Sequence, residues 1–156
     1  MIWLRTLIFT IVVPATVTVY APWWILSRRG APAPSGVRWL ALIPIAAGVA
    51  TYLWCAFDFG RARGTPAPLD PPKELVANGL YRFSRNPIYL GVGSIVWGEA
   101  LLFGSWPLAF FAAVVCACFH AFVTLYEEPS LRRRFGDAYE RYCRAVPRWL
   151  PRRTRT

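Results

Sequence analysis

The feature that most constrains the fold of this chain is an alternation of long apolar runs with strongly basic blocks. Residues 2–26 contain one charged side chain, and residues 88–126 contain only Glu99. Most other charges are concentrated in residues 60–87 and 127–155. This alternation is typical of proteins that cross a bilayer several times, because apolar helices lie in lipid while charged segments stay in water. We therefore predict an all-α, polytopic transmembrane helical bundle.

The apolar runs predict about four spans within a single membrane domain, residues 1–156. The first run is too long for the apolar region of a secretory signal, so we expect it to be a retained span, kinked at Pro14. The third is short for a hydrocarbon core that requires about 20 helical residues. A tight turn at residues 104–106 should join the third and fourth spans as a helical hairpin. The predicted spans are residues 2–26, 37–59, 88–103 and 107–126.

The distribution of positive charge predicts the orientation. Fifteen of the 18 lysine and arginine residues lie on the side that holds the N-terminus, the loop 60–87 and the C-terminal tail. The side of a membrane protein that is richer in lysine and arginine faces the cytoplasm. We therefore expect both termini and the loop 60–87 to be cytoplasmic. We expect the membrane to be a bacterial inner membrane.

The C-terminal tail has the pattern of an amphipathic helix. Apolar and aromatic residues recur at helical spacing between Leu131 and Tyr142, and arginines and acidic residues cover most of the remaining surface. Such a helix lies along a membrane interface. We predict an interfacial helix over residues 129–146, ended by Pro147.

Composition also argues against other classes of protein. The net charge is +10, which raises the possibility of nucleic-acid binding, but the basic blocks flank predicted spans and are better matched to anionic lipid headgroups. The four cysteines are expected to be small apolar packing residues, and their spacing does not match a set of metal ligands. We expect membrane lipids as partners, with no nucleic acid and no metal.

Two motifs contain candidate functional residues. The first is GLYRFSRNPIYLG at residues 79–91, in which Pro87 should begin a helix and Asn86 should cap it by bonding the amides of Ile88 or Tyr89. A helix start with an arginine beside it can bind a carboxylate or phosphate. Capping leaves Tyr81, Arg82, Arg85 and Tyr89 unexplained.

The second motif is the adjacent pair Glu127-Glu128 at the end of the fourth span. These carboxylates can bind ribose hydroxyls or lie near a cation, or they can be solvated residues that favour the start of the tail helix. Glu99 lies inside a span, where it is either functional or paired with another span. His120, the only histidine, is expected to be a buried, hydrogen-bonded residue rather than a base.

Together the two motifs resemble the isoprenylcysteine carboxyl methyltransferase family and the related phospholipid methyltransferases. The segments KELVANGLYRFSRNPIYLG and EEPSLRRRFGDAYERYCRAVPRWLP match at the expected separation, over about residues 66–151. The resemblance implies an integral membrane methyltransferase that uses S-adenosylmethionine. It implies catalytic positions that shape the pocket at Arg85 and Glu128. It implies cofactor contacts at Lys73, Glu74, Leu75, Val76, Tyr81, Asn86, Pro87, Ile88, Tyr89 and Glu127.

Two positions depart from the family pattern. Asn86 stands where many members have histidine, and asparagine cannot titrate, so the comparison argues against a general base there. Val123 stands where eukaryotic prenylcysteine enzymes have an arginine associated with the substrate carboxylate. This difference argues against a prenylcysteine acceptor.

The sequence thus predicts transfer of a methyl group from S-adenosylmethionine to a lipophilic or amphiphilic small molecule, at a carboxylate, thiol or lipid amine. Two alternatives remain. One is an NADPH-dependent membrane reductase of the sterol-reductase type, whose C-terminal region is similar. The other is a non-catalytic membrane protein that binds anionic lipid through its tail.

Overall fold

The computed structural model describes residues 12–30, 32–61 and 77–150, and throughout these residues the regular structure is helical. This confirms the all-α prediction. Short 3₁₀ turns at Gly36–Ala41 and Gly79–Arg82 and π-helical turns at Thr16–Tyr20 and Val123–Glu127 adjoin the α-helices. The α-helices are α1 (Ala21–Arg29), α2 (Leu42–Arg61), α3 (Pro87–Phe103), α4 (Trp106–Phe122), α5 (Glu128–Phe135) and α6 (Asp137–Ala145).

Two helices among the described residues are long and apolar enough to cross a membrane. They are Gly36–Asp58, which includes most of α2, and Trp106–Phe135, which runs from α4 through the π turn into α5. The apolar helix α3 is shorter, with 17 residues. Of the first predicted span, residues 1–11 lie outside the described part. The rest is helical through Pro14, and the π turn beginning at Thr16 follows it.

Helices α2 and α3 pack through direct contact of their backbones. A Cβ atom on Gly48 would lie 2.5 Å from the carbonyl oxygen of Gly91, and one on Gly98 would lie 2.5 Å from Cγ1 of Ile45. The hydroxyl of Ser94 donates a hydrogen bond of 2.8 Å across the same interface. Small residues at these points let the two helices approach closely, which is how helices associate in lipid.

The predicted hairpin between α3 and α4 is present. Gly104 ends α3 with φ of +56°, a left-handed conformation that glycine adopts without strain, and the amide of Ser105 bonds back to the carbonyl of Ala100 at 3.1 Å. The guanidinium of Arg38 lies against Gly104, close enough that a Cβ there would be 2.6 Å from Cζ. A cation in this position favours the negative end of the α3 dipole.

The tail departs from the single helix that its spacing predicted. The amide of Glu128 bonds to the carbonyl of Val123, five residues earlier, and this π turn lets the helix continue into Pro129, which has no amide hydrogen to donate. The helix then breaks at Gly136, where φ is +50°, and α6 begins at Asp137. The segment predicted as one helix over residues 129–146 is therefore two helices, α5 and α6, separated by Gly136.

Candidate active site

The turn that precedes α3 is held against the C-terminal segment that follows α6. The amide of Arg85 donates to the carbonyl of Pro147 at 2.9 Å. The hydroxyl of Tyr142 donates to the carbonyl of Tyr81 at 2.7 Å. Because these bonds join residues about 60 positions apart in sequence, they close one end of the bundle and fix the backbone of the turn.

Asn86 belongs to this connection, and the predicted role of its side chain as a helix cap is wrong. Asn86 does occupy the position before α3, and Pro87 is the first residue of that helix. Its side-chain amide, however, donates to the carbonyl of Arg148 at 3.0 Å, and it makes no capping bond. The same carbonyl also accepts a hydrogen bond of 3.3 Å from the hydroxyl of Ser84, so the side chain of Asn86 adds to the connection between this turn and the C-terminal segment. No side chain of the described residues therefore caps the first turn of α3, whose amides stay available to an anion.

Glu128 is the centre of a buried ion-pair cluster. Only 3% of its side chain is exposed, and Arg148 binds it with two hydrogen bonds of 2.7 Å and 2.9 Å. Arg85 approaches Oε1 at 3.0 Å, and Arg132 lies 3.8 Å from Oε2. The hydrogen bond to Glu128 raises the pKa of Arg148 above its ordinary value. The solvated alternative for this glutamate is therefore wrong, because arginines occupy both carboxylate oxygens.

Arg85 contacts more than the carboxylate. Its side chain is 11% exposed, and its Nη1 also lies 2.8 Å from Sγ of Cys143 on α6. Its Nε is buried and has no hydrogen-bond partner among the described residues. The guanidinium thus joins the turn before α3 to α5 and α6 while one of its donors stays unpaired.

The other glutamate, Glu127, faces α3. The hydroxyl of Tyr89 donates to Oε2 of Glu127 at 2.8 Å, and the ring of Tyr89 packs on Phe119 with centroids 4.9 Å apart. Tyr81 is buried beside Cys55 of α2 and interacts electrostatically with Glu127 and Tyr89. Burial raises the pKa of Tyr81 well above its ordinary value, so its phenol stays neutral. Two phenols and a carboxylate are thereby brought together at the start of α3.

A cavity of about 380 Å³ adjoins this cluster at Tyr89. It lies between α3 and α4, and none of the side chains that line it is an aspartate, glutamate, lysine or arginine. Trp149 closes one side by donating from its indole Nε1 to Nδ1 of His120 at 3.3 Å. His120 is hydrogen-bonded, as predicted, but it forms part of the cavity wall and is not buried. The lining residues are Tyr89, Leu90, Gly93, Ser94, Trp97, Cys116, Phe119, His120 and Trp149.

The sequence-predicted site residues fall into three groups. Lys73, Glu74, Leu75 and Val76 lie outside the described residues. Tyr81, Asn86, Pro87, Ile88, Tyr89 and Glu127 lie around the start of α3, and Arg85 and Glu128 form the ion-pair cluster behind it. Glu99 is separate, and its Oε2 is buried without a partner among the described residues.

Two residues with a part in the site were not predicted from sequence. Arg148 holds Glu128 and accepts the bond from Asn86, while Trp149 forms part of the cavity wall. Both belong to the segment RWLP, which the family pattern describes only as a proline-rich end. Their partners lie far away in the sequence, so spacing gave no signal for either role.

Comparison with known proteins places the sequence in a family. The sequence pattern described as phospholipid methyltransferase matches residues 37–138, which is more than half of the chain. The chain belongs to the phospholipid methyltransferase family. The part that matches this methyltransferase family includes α2, α3 and α4 and the bond between Tyr89 and Glu127, whereas Arg148 and Trp149 lie beyond it.

Individual methyltransferases show the same relationship over shorter segments. A protein-S-isoprenylcysteine O-methyltransferase of Schizosaccharomyces pombe is 34% identical over 79 residues, which are 49% of this chain and 33% of that protein. A phosphatidylethanolamine N-methyltransferase of Ajellomyces capsulatus strain H143 is 33% identical over 86 residues, 53% of this chain and 9% of that protein. The chain thus spans a third or less of each relative. No solved structure matches it significantly.

The described residues contain no group of three or more histidine, cysteine, aspartate or glutamate side chains that could hold a metal ion.

Proposed function

We propose that this chain is an S-adenosylmethionine-dependent integral membrane methyltransferase that methylates an amphiphilic acceptor. The observation that carries the proposal is the hydrogen bond between Tyr89 and Glu127. This bond lies at the start of α3, where no side chain of the described residues caps the helix and where the second phenol, Tyr81, and the apolar cavity adjoin it. The chain also belongs to a methyltransferase family. The acceptor atom is a carboxylate oxygen, a thiol or a lipid amine, and the names of the two relatives suggest the oxygen and the amine.

The residues at the start of α3 fit the polar parts of this cofactor. Glu127 accepts one hydrogen bond from Tyr89, and a carboxylate can accept several, so it has capacity for a pair of ribose hydroxyls. The free amides of Ile88 and Tyr89 suit the methionyl carboxylate. The faces of Tyr81 and Tyr89 tolerate a nearby cation.

S-adenosylmethionine supplies an activated methyl group, and the chain's own residues supply alignment. Methyl transfer by in-line displacement depends on the relative position of donor and acceptor more than on proton transfer. The bonds from Tyr142, Asn86 and Arg85 to distant backbone carbonyls or side chains keep the turn before α3 in one conformation.

Arg85 and Glu128 have different parts in this proposal. Both oxygens of Glu128 are bound by arginines, so Glu128 positions the turn before α3 and the C-terminal segment after α6 and does not contact the reacting groups. Arg85 retains an unpaired, buried Nε donor among the described residues. An unpaired arginine donor can bind an anionic group of the cofactor or the acceptor where that group reaches it.

The membrane arrangement is part of the proposal. We infer four spans at residues 2–26, 37–59, 88–103 and 107–126, with both termini and the loop 60–87 in the cytoplasm of a bacterium. The two long apolar helices support it. The site at the start of α3 then lies at the cytoplasmic surface, where a soluble cofactor has access, and the cavity lies within the lipid layer.

Calorimetric titration of detergent-purified protein with S-adenosylmethionine, and separately with NADPH, tests this function. We expect saturable binding of S-adenosylmethionine, reduced at least tenfold in Glu127→Ala and in Tyr81→Ala while both variants still insert into membranes. Glu140→Gln is the matched control, since Glu140 is exposed and pairs only with Arg132 among the described residues. Binding of NADPH alone would favour the reductase, and binding of neither by folded protein would favour a non-catalytic lipid-binding protein.

A further inference from the structure

Asp58 is a carboxylate in a position that is unfavourable for the fold. It lies in the last turn of α2, which ends at Arg61. The C-terminal end of a helix carries a partial negative charge, so an acidic side chain there destabilises the helix. Its Oδ2 is also buried and accepts no hydrogen bond from the described residues, which adds a cost of desolvation. Both costs fall when a cation binds to the carboxylate.

The turn before α3 lies directly against this carboxylate. Gly79 begins the 3₁₀ turn with φ of +58°. A Cβ on Gly79 would overlap Oδ2 of Asp58 and would lie 3.3 Å from the indole Nε1 of Trp54. Glycine is therefore required here both by the left-handed conformation and by the contact. The carboxylate oxygen faces the same turn that bears Tyr81.

Two contacts connect Asp58 with the proposed cofactor site. Cys55, one turn earlier on α2, interacts electrostatically with Asp58 and is hydrogen-bonded to the side chain of Tyr81. Tyr81 interacts electrostatically with Tyr89 and Glu127. Asp58 therefore lies at the edge of the group of side chains that includes the bond between Tyr89 and Glu127.

The register of α2 and α3 gives the level of Asp58 along the bundle. The helices are antiparallel, because Gly98 lies against Ile45 and Gly91 lies against Thr51. At about 1.5 Å per residue, Asp58 is about 10 Å beyond Thr51, and the first residue of α3 is about 6 Å beyond Gly91 in the same direction. Asp58 thus lies roughly one helical turn past the start of α3, on the side toward which the free amides of α3 point.

We propose that Asp58 binds the α-ammonium group of S-adenosylmethionine. This inference rests on the proposed methyltransferase function, because it assigns Asp58 to one group of that cofactor. The ammonium and the carboxylate of the methionyl part are attached to the same carbon atom. A methionyl carboxylate bound by the first amides of α3 therefore places the ammonium beside it, on the side where Asp58 lies.

The charges of the two helix ends match this ligand. The positive end of α3 meets the methionyl carboxylate, and the negative end of α2, reinforced by Asp58, meets the ammonium. A bond from an ammonium to a carboxylate is stronger than a bond between neutral groups. It would also satisfy the buried Oδ2 of Asp58, which no described residue satisfies.

Calorimetric titration of detergent-purified protein with three ligands tests the proposal. S-adenosylmethionine has an ammonium and a sulfonium, S-adenosylhomocysteine has only the ammonium, and the analogue of S-adenosylhomocysteine without its amino group has neither. We expect Asp58→Asn to weaken binding of the first two ligands about tenfold each and to leave binding of the third unchanged. Asp137→Asn is the matched control, because it is the same substitution at an exposed position of α6. It should leave all three affinities unchanged.

Unfolding of the ligand-free protein separates this role from a structural one. Asp58→Asn removes no ion pair among the described residues and relieves the unfavourable charge at the end of α2. The concentration of sodium dodecyl sulfate at half-unfolding should therefore be unchanged or higher than in wild type. A lower concentration, with equal weakening of all three ligands, would mean that Asp58 holds the fold together, and it would overturn the inference.

The remaining outcomes distinguish the inference from the proposed function. A loss confined to S-adenosylmethionine would place the sulfonium beside Asp58 and overturn the inference. Unchanged affinity of Asp58→Asn for S-adenosylmethionine would also overturn it, while leaving the methyltransferase function intact. Failure of folded wild-type protein to bind any of the three ligands would refute the proposed function, and the inference with it.

Discussion

Removal of Arg148 should show how much the C-terminal segment contributes to holding the site together. Arg148→Ala eliminates the bonds of 2.7 Å and 2.9 Å to Glu128 and leaves the backbone carbonyl of residue 148 in place for Asn86. Glu128 keeps Arg85 at 3.0 Å, so the buried carboxylate is not left unpaired. The variant therefore isolates the side-chain ion pair from the rest of the connection.

The magnitude follows from burial and geometry. Hydrogen bonds to charged groups contribute about 1.5–3 kcal/mol each. The Arg148 side chain is 35% exposed, so solvent screening reduces the contribution of its two bonds. We expect a loss of about 2 kcal/mol in the free energy of unfolding. Glu128→Ala should cost more, about 3–5 kcal/mol, because it leaves Arg85 without its carboxylate, and the side chain of Arg85 is only 11% exposed.

Arg132→Ala is the matched control for this experiment. Arg132 reaches the same carboxylate, but at 3.8 Å and from a side chain that is 46% exposed, and its other partner, Glu140 at 2.8 Å, is 47% exposed. Ion pairs this exposed contribute about 0–1 kcal/mol. Unfolding in mixed micelles by increasing sodium dodecyl sulfate, followed by circular dichroism, measures all three variants. Equal losses for Arg148→Ala and Arg132→Ala would refute the argument that burial and bidentate geometry decide the contribution.

Three further predictions concern the helix interface and the start of α3. Gly98→Ala should destabilise the protein by about 1–3 kcal/mol in the same unfolding assay, because the added Cβ would collide with Ile45. A neutral effect would contradict the observed contact between α2 and α3. Tyr89→Phe removes the donor to Glu127 and should weaken S-adenosylmethionine binding about tenfold by calorimetry; unchanged affinity would mean that the pair does not hold the cofactor. Asn86→Ala should cost about 1 kcal/mol of stability, and Asn86→Asp, which retains a helix-capping acceptor but has no donor, should cost at least as much. Rescue by aspartate would show that capping is the role of Asn86 after all.

The features that the sequence predicted correctly depend on local patterns. Apolar runs between charged segments predicted helices, and the residues Gly104 and Ser105 predicted the turn between α3 and α4. Pro87 was correctly placed as the first residue of α3. Each of these outcomes follows from the conformational preferences of a few neighbouring residues, so no knowledge of tertiary contacts was needed.

The features that the sequence did not predict depend on distant partners. Asn86 had the residue type and position of a helix cap, but the carbonyl that it binds belongs to Arg148, 62 positions away. Spacing along one helix likewise could not predict that Glu128 is buried and bound by three arginines, because two of them come from other segments. The resemblance to known methyltransferases singled out Tyr89 and Glu127 separately, while the hydrogen bond between them became apparent only in the structure.

The break in the tail has a local cause that the spacing analysis overlooked. The pattern from Leu131 to Tyr142 fits one helix if only apolar positions are considered. Gly136 lies in the middle of it, and its φ of +50° is a conformation that other residues adopt with strain. The break redirects α6 so that Tyr142 and Cys143 contact the turn before α3.

The most direct test of the central claim is ultraviolet cross-linking of S-adenosylmethionine, tritiated in its methyl group, to the purified protein, with the labelled peptides identified by mass spectrometry. We predict saturable labelling of the peptide that contains Tyr81 and Tyr89, abolished by excess S-adenosylhomocysteine and weakened in Glu127→Ala. Labelling confined to other peptides would contradict the location of the site. Absence of saturable labelling in folded protein would contradict the proposed function.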